Sequence, residues 1–270
     1  MCAAKISPLK MSVGPAIRTF NVDQLRVEIL PNYDELGRVS AAAVADCLQR
    51  ALAAKERARF VVGTGPSQGS YVASLVRDFS LPWDRIELFH LDEYVGLGAD
   101  HPASFRRWLR QHIADRVHPR AVNYIRGDGP DAAAECRRYA ALLAAAPIDA
   151  ISIGIGENGH IAFNDPPVAD FNDPEAVKIV KLDEACKRQQ VGEGHFPNPA
   201  SVPTHAISLT IPTMMRAANI ICVVPDERKA RAVKDALEGP IATSCPASIL
   251  RRQRHARLYL DANAASLLRI

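Results

Sequence analysis

Short apolar runs alternate along this chain with segments of helical periodicity, and that alternation constrains the fold more than any other feature. Leu25–Leu30 (LRVEIL) alternates like a strand, and residues 59–62, 85–91 (RIELFHL), 148–155 (IDAISIGI), 219–224 (NIICVV) and 256–260 read as further strands. Between them, residues 34–58, 68–78, 102–115, 131–146 and 226–237 carry helical spacing. Several of the strands are apolar throughout rather than alternating, which is the pattern of burial on both faces. Strands separated by helices imply parallel crossovers, so the pattern predicts an α/β chain: an open, mainly parallel sheet with helices on both faces.

The chain has 270 residues and shows no repeat, low-complexity tract or linker. We therefore expect one domain over residues 19–270, preceded by a flexible arm over residues 1–18. Its 33 Lys and Arg against 30 Asp and Glu leave a net charge of +3, too balanced for a protein that works by neutralising nucleic-acid phosphates. No apolar stretch approaches the ~18–20 residues of a membrane span. The six cysteines are scattered with no C-x-x-C pair, and read as reduced thiols rather than a disulfide framework or a zinc site. Without a secretory leader in residues 1–18, the expected location is the cytoplasm.

Four polar, glycine-rich stretches follow predicted strands, where open α/β sheets bind ligands. They are residues 63–70 (GTGPSQGS), 90–96 (HLDEYVG), 154–165 (GIGENGHIAFND) and 225–229 (PDERK). The first leads into a helix, and its amides with Ser67, Gln68 and Ser70 suit an anion at a helix N-terminus; the alternative is a plain turn capped by Ser67. Asp92 and Glu93 close a strand, so only one of them faces a given site, as a candidate general base or as a cap. Gly154, Gly156 and Gly159 spell G-x-G-x-x-G, but Pro166, Pro167 and Pro174 argue against the helix a dinucleotide site requires. His160, with Asn158 before it and Asp165 after it, suits proton transfer or, alternatively, a structural hydrogen bond. Arg228 and Lys229 either clamp a phosphate or lie on a solvated basic face.

The segments LDEYVGL (91–97), HPASF (101–105) and GIGENGHIAFNDP (154–166) resemble the glucosamine-6-phosphate deaminase (isomerase) family, and the resemblance extends from about Val27 to the C-terminus. The related 6-phosphogluconolactonase branch has D-E-R and G-H-T-A-S-L-F-P in the corresponding places, and neither stands at those places here. The resemblance implies a Rossmann-like sheet and conversion of glucosamine 6-phosphate to fructose 6-phosphate and ammonia, with neither metal nor redox cofactor. It also implies that Asp92 moves a proton between C2 and C1 and that His160 opens the pyranose ring. By the same resemblance Gly65, Ser67, Gln68 and Gly69 fall in the phosphate loop, Lys229 is a phosphate-binding lysine, and Arg188 is the nearest match to a phosphate-binding arginine. A homo-oligomer is a further expectation of the family.

Two positions depart from the family pattern: Asn158 stands where the pattern has Asp, and Asp165 where it has Glu. One carboxylate fewer disfavours the charged imidazole, and Asp165 is a methylene shorter. Either ring opening is tuned differently or the substrate is another amino-sugar phosphate. The competing functions are a lactonase or other sugar-phosphate isomerase on the same fold, and a non-catalytic sugar-phosphate sensor. Retention of both Asp92 and His160 favours catalysis.

Overall fold

The computed structural model describes residues 16–269. In chain order the elements are β1 (Arg18–Val22), β2 (Leu25–Leu30), α1 (Tyr33–Ala54), β3 (Ala58–Val62), α2 (Gly69–Asp78), β4 (Ile86–His90), β5 (Asp92–Tyr94), α3 (Phe105–Leu109), α4 (Asp115–Val117) and β6 (Ala121–Asn123). They continue with α5 (Ala132–Ala144), β7 (Ala150–Ile153), β8 (Val177–Lys181), α6 (Glu184–Gly192), β9 (His205–Leu209), α7 (Ile211–Met215), β10 (Ile220–Val224), α8 (Ala230–Glu238) and β11 (Ala256–Asp261).

Eight strands form one sheet in the order β1-β2-β11-β10-β7-β3-β4-β6, and every pairing except β1–β2 is parallel. The sheet is covered on both faces, as the apolar strands predict. Phe60 and Val62 of β3 pack with Leu36, Val44 and Leu48 of α1 and Leu75 of α2. Val61, between them, faces the other core with Tyr139 and Leu143 of α5 and Val233 and Leu237 of α8. Helix starts follow from local capping: Asn32 accepts from the amide of Glu35 (2.9 Å), and Asp131 accepts from that of Ala134 (2.9 Å).

Three features differ from the sequence-based reading. The chain is already structured before residue 19: Ile17 donates to the Ile29 carbonyl (2.8 Å), and Arg18 opens β1 beside β2. The rest of the expected arm, residues 1–15, lies outside the described residues. A second, antiparallel sheet, β5-β9-β8, stands beside the first. Two of its strands, with α6 and α7, come from the stretch between residues 154 and 219 that periodicity leaves irregular. These elements are short, and α6 buries only Cys186 and Gln190, so no apolar stripe marks it. Cys47, Cys136, Cys186, Cys222 and Cys245 are free thiols. No helix among the described residues is long and apolar enough to cross a membrane.

Candidate active site

Successive strands leave the centre of the large sheet in opposite directions: β3 leads outward through β4 to β6, and β7 leads through β10 to β11. The carboxyl ends of β3 and β7 therefore flank a topological switch point, the place where such sheets form a crevice. Gly63, Ser67, Gln68, Asp92, Gly154, Gly156, His160 and Lys229 line one cleft there. All four polar stretches picked out in the sequence contribute to it.

The loop after β3 turns at Gly65, whose φ of +98° is a conformation that glycine adopts without strain. Pro66–Gln68 make one 3-10 turn, and Gly69 opens α2. Tyr33 holds this turn in place: its hydroxyl donates to the Pro66 carbonyl (2.9 Å) and accepts from the Ser70 amide (3.0 Å). Gln68 is buried and bolts the loop to β10 through the Val223 carbonyl (3.1 Å), while its amide also donates to Ser67 Oγ (3.2 Å). The Ser67 hydroxyl hydrogen is thereby left for another acceptor. Gly69 is behind the loop and is not part of the cleft wall.

The basic pair after β10 divides its roles. Arg228 turns outward to Asp226 (2.8 Å), as a solvated basic face would. Lys229 is 3% exposed and lines the cleft, with Nζ 3.3 Å from Glu193 Oε1 and 3.9 Å from Glu157 Oε1. Asp226, just upstream, holds a φ of +86°, a strained conformation for a residue with a side chain. Its carboxylate accepts from the Arg228 amide (3.0 Å), and its own amide donates to the Asp261 carboxylate (3.2 Å).

Asp92 does not end β4; it opens β5 in the small sheet, paired with Ser208 of β9. Strand alternation then separates the two adjacent carboxylates. Asp92 lines the cleft, and burial, reinforced by the neighbouring Glu93, pushes its carboxyl well above the ordinary range. Glu93 points inward, where it accepts from Ser104 Oγ (2.8 Å) and the Arg106 amide (3.0 Å) and pairs with the Arg106 guanidinium (3.3 Å). His90 fixes the bend between β4 and β5: Nδ1 donates to the Asp92 carbonyl (2.9 Å) and Nε2 accepts from the Ile125 amide (2.9 Å). Burial drives its pKa down to about 3, so this histidine is a neutral brace.

His160 is held by the two departures from the family pattern. Its Nδ1 donates to Asn158 Oδ1 (2.8 Å) and to Asp165 Oδ1 (2.9 Å), and Asn158 Nδ2 donates to the same Asp165 oxygen (2.8 Å). The shorter carboxylate therefore still reaches the ring. Asn158 and Asp165 stand behind the imidazole and are not part of the cleft wall. Burial works against ionisation of Asp165, but His160 and the hydrogen bonds from His160 and Asn158 outweigh it and hold the carboxyl below its ordinary value. With the proton fixed on Nδ1, Nε2 is the nitrogen left to exchange protons with a ligand.

Gly156 has no room for a side chain, because a Cβ there would lie 2.2 Å from His160 Nε2. Gly156→Ala is expected to displace the imidazole, read as a shift of the His160 ring-proton resonances, with the far-ultraviolet circular dichroism unchanged. The glycines at 154, 156 and 159 thus serve this loop. No helix opens after them before α6, so the dinucleotide pattern is coincidental.

Arg188 is exposed on α6 and is not part of the cleft wall, contrary to the assignment made by resemblance. At about 100° per residue, the neighbouring positions face inward instead. Gln189, Gln190 and Glu193, with His195 just beyond the helix, form the wall opposite the strand ends. Sequence reading missed these four. Their only signal was QQVGEGHF itself, in a stretch with no apolar periodicity to place it.

A carboxylate, an imidazole and a buried ammonium around a glycine-turned loop, at the switch point of a parallel sheet, define an α/β protein with a cleft for a small polar ligand. Residues 31–260 match the family model for glucosamine-6-phosphate isomerases/6-phosphogluconolactonase. The chain is similar to a glucosamine-6-phosphate deaminase of Exiguobacterium sibiricum, 41% identical over 190 residues, which span 68% of this chain and 73% of that one. It is also similar to glucosamine-6-phosphate deaminase 2 of Bacillus subtilis, 33% identical over 253 residues, or 91% and 98% of the two chains. The solved structure of a monomeric glucosamine-6-phosphate deaminase superposes with a TM-score of 0.81 at 30% identity, covering 90% of this chain and 99% of that one. A 6-phosphogluconolactonase from Trypanosoma brucei shares the fold, with a TM-score of 0.72 at 17% identity over 95% and 100% of the two chains. This chain belongs to the glucosamine-6-phosphate isomerase/6-phosphogluconolactonase family.

Proposed function

We propose that this protein deaminates and isomerises an amino-sugar phosphate, converting glucosamine 6-phosphate and water to fructose 6-phosphate and ammonia. The observation that carries this reading is that Asp92, His160, Ser67 and Lys229 line a single cleft. The phosphate rests on the loop of Gly65, Ser67 and Gln68 and takes the place of Glu193 as partner of Lys229. That fixes the register of the sugar, and orientation of this kind supplies a large share of a rate enhancement.

His160 Nε2 takes and returns the protons at O1 and O5 that open the ring, with Asn158 and Asp165 stabilising the imidazolium formed on the way. Asp92 then removes the C2 proton and delivers it to C1. The enolamine that connects the two becomes a ketimine at C2, and water releases ammonia from it. A carboxyl raised by burial suits this role, because its conjugate acid must hold the proton between the two carbons.

Ammonia release across a panel of hexosamine 6-phosphates, with 6-phosphogluconolactone as a control, tests this function. Turnover of an amino sugar is expected; hydrolysis of the lactone alone overturns it in favour of a lactonase, and binding without turnover in favour of a sensor. His160→Gln is expected to slow the closed-ring substrate by ~10²-fold or more while affecting an open-chain analogue far less. Equal slowing of both removes the ring-opening role.

A further inference from the structure

Four buried side-chain polar atoms among the described residues have no hydrogen-bond partner: Gln68 Oε1, Asn164 Oδ1, Asp165 Oδ2 and His195 Nε2. Only Gln68 and His195 are residues of the cleft wall, and the Gln68 amide already bolts its loop to β10 (3.1 Å). His195 is different, because the mechanism above does not use it and its ring is held as if for a ligand. Gly194, at a φ of +81°, turns the chain after α6, and the His195 amide closes that turn on the Gln190 carbonyl (3.1 Å). The imidazole stands edge-on to Phe105, with ring centres 6.5 Å apart. Its nearest charged neighbour is Glu193, whose Oε2 is 3.7 Å from Nε2, beyond hydrogen-bond distance.

Glu193 Oε1 is already engaged, accepting from Gln189 Nε2 (2.9 Å) and Lys229 Nζ (3.3 Å). Burial lowers the pKa of His195, against the opposing pull of Glu193, so the ring is neutral at pH 7. A neutral imidazole nitrogen either donates to or accepts from a hydroxyl. The phosphate is assigned above to the loop of Gly65, Ser67 and Gln68 and to Lys229, so the ligand group left for His195 is a sugar hydroxyl.

We propose that His195 is a specificity-determining residue whose Nε2 hydrogen-bonds a secondary hydroxyl of the sugar. This rests on the function proposed above, and it makes the wall of α6 the part of the cleft that reads sugar configuration. An unpaired buried nitrogen gains its missing partner only from the epimer that presents the hydroxyl correctly, and a site built to pair with a hydroxyl discriminates strongly against a ligand that fails to offer it.

The test compares His195→Phe, which keeps the packing on Phe105, with His195→Gln, which restores a polar terminus. Both are assayed on glucosamine 6-phosphate and its C4 epimer, alongside inorganic phosphate binding and thermal midpoint. His195→Phe is expected to raise KM for the preferred epimer about tenfold, the worth of one hydrogen bond. It should also compress the epimer ratio, leave kcat within about threefold and leave inorganic phosphate affinity unchanged; His195→Gln should recover part of the loss. Unchanged KM and epimer ratio, or an equal loss of inorganic phosphate affinity, overturns the proposal, as does a lowered midpoint with the ratio intact. Should the wild type release no ammonia from any hexosamine phosphate, the functional reading fails separately. His195 is then judged by the dissociation constants of glucose 6-phosphate and galactose 6-phosphate, where a ratio unchanged in His195→Phe overturns it and a compressed ratio supports it.

Discussion

Asp92→Asn is expected to lower turnover by ~10²–10⁴-fold, the range assigned to a lost general acid–base group, while a sugar phosphate still binds with little change. The amide keeps the shape of the side chain but cannot carry the proton from C2 to C1, and the residues proposed above to hold the phosphate, Ser67, Gln68 and Lys229, lie elsewhere in the cleft wall. Steady-state kinetics and calorimetric binding of a non-reacting hexitol 6-phosphate check both halves, and preserved turnover would refute the base assignment.

The same variant carries a second signature in stability against pH. The folded-state pKa of Asp92 is raised by burial, so between the unfolded value of ~3.9 and the folded value the unfolded chain has already lost this proton while the folded chain keeps it. The unfolded state binds fewer protons there, so wild-type stability falls with rising pH through that window and stays lower above it. Asp92→Asn lacks this penalty. Its thermal midpoint is therefore expected to equal or exceed the wild type at neutral pH, with the advantage vanishing in acid, where both side chains are uncharged.

The neighbouring Glu93→Ala is expected to do the reverse, lowering stability by ~3–5 kcal/mol, as loss of one partner of a buried ion pair does. The Glu93 carboxylate accepts from Ser104 Oγ and the amides of Tyr94 (3.0 Å) and Arg106 (3.0 Å), and it pairs with Arg106, itself 8% exposed. Truncation leaves these donors and a buried guanidinium with less compensation and removes the acceptor of the first two amides of α3, which carries Phe105 into the cleft wall. At ~2–4 °C per kcal/mol for a chain near this size, the thermal midpoint should fall by on the order of 10 °C. A midpoint within a degree or two of the wild type would show that the interior tolerates the loss.

Much of the site was legible in the sequence because strand ends and glycine turns mark where an α/β sheet presents its loops. The G-P-S-Q turn, Asp92, His160 and Lys229 were each singled out from such positions, and the structure brings all of them into one cleft. Arg188 was misplaced because helical phase decides its direction, and α6 buries too few apolar residues to reveal that phase. The small sheet was missed for a related reason: β5 has three residues, too few for alternation to register against β4 immediately before it.

The amino-acid sequence by itself determined the layered parallel sheet, since runs such as NIICVV are stable only when both faces are covered. It also determined which loops meet at the cleft. Only the tertiary structure decided which member of each adjacent pair enters the cleft: Asp92 rather than Glu93, Lys229 rather than Arg228, Gln189 rather than Arg188. Local periodicity records how often a side chain turns inward, but the choice between neighbours depends on partners distant in sequence. Arg106 and Ser104 draw Glu93 inward, Glu193 receives Lys229 across the cleft, and Gln190 meets the Tyr94 hydroxyl (2.6 Å) from 96 residues away.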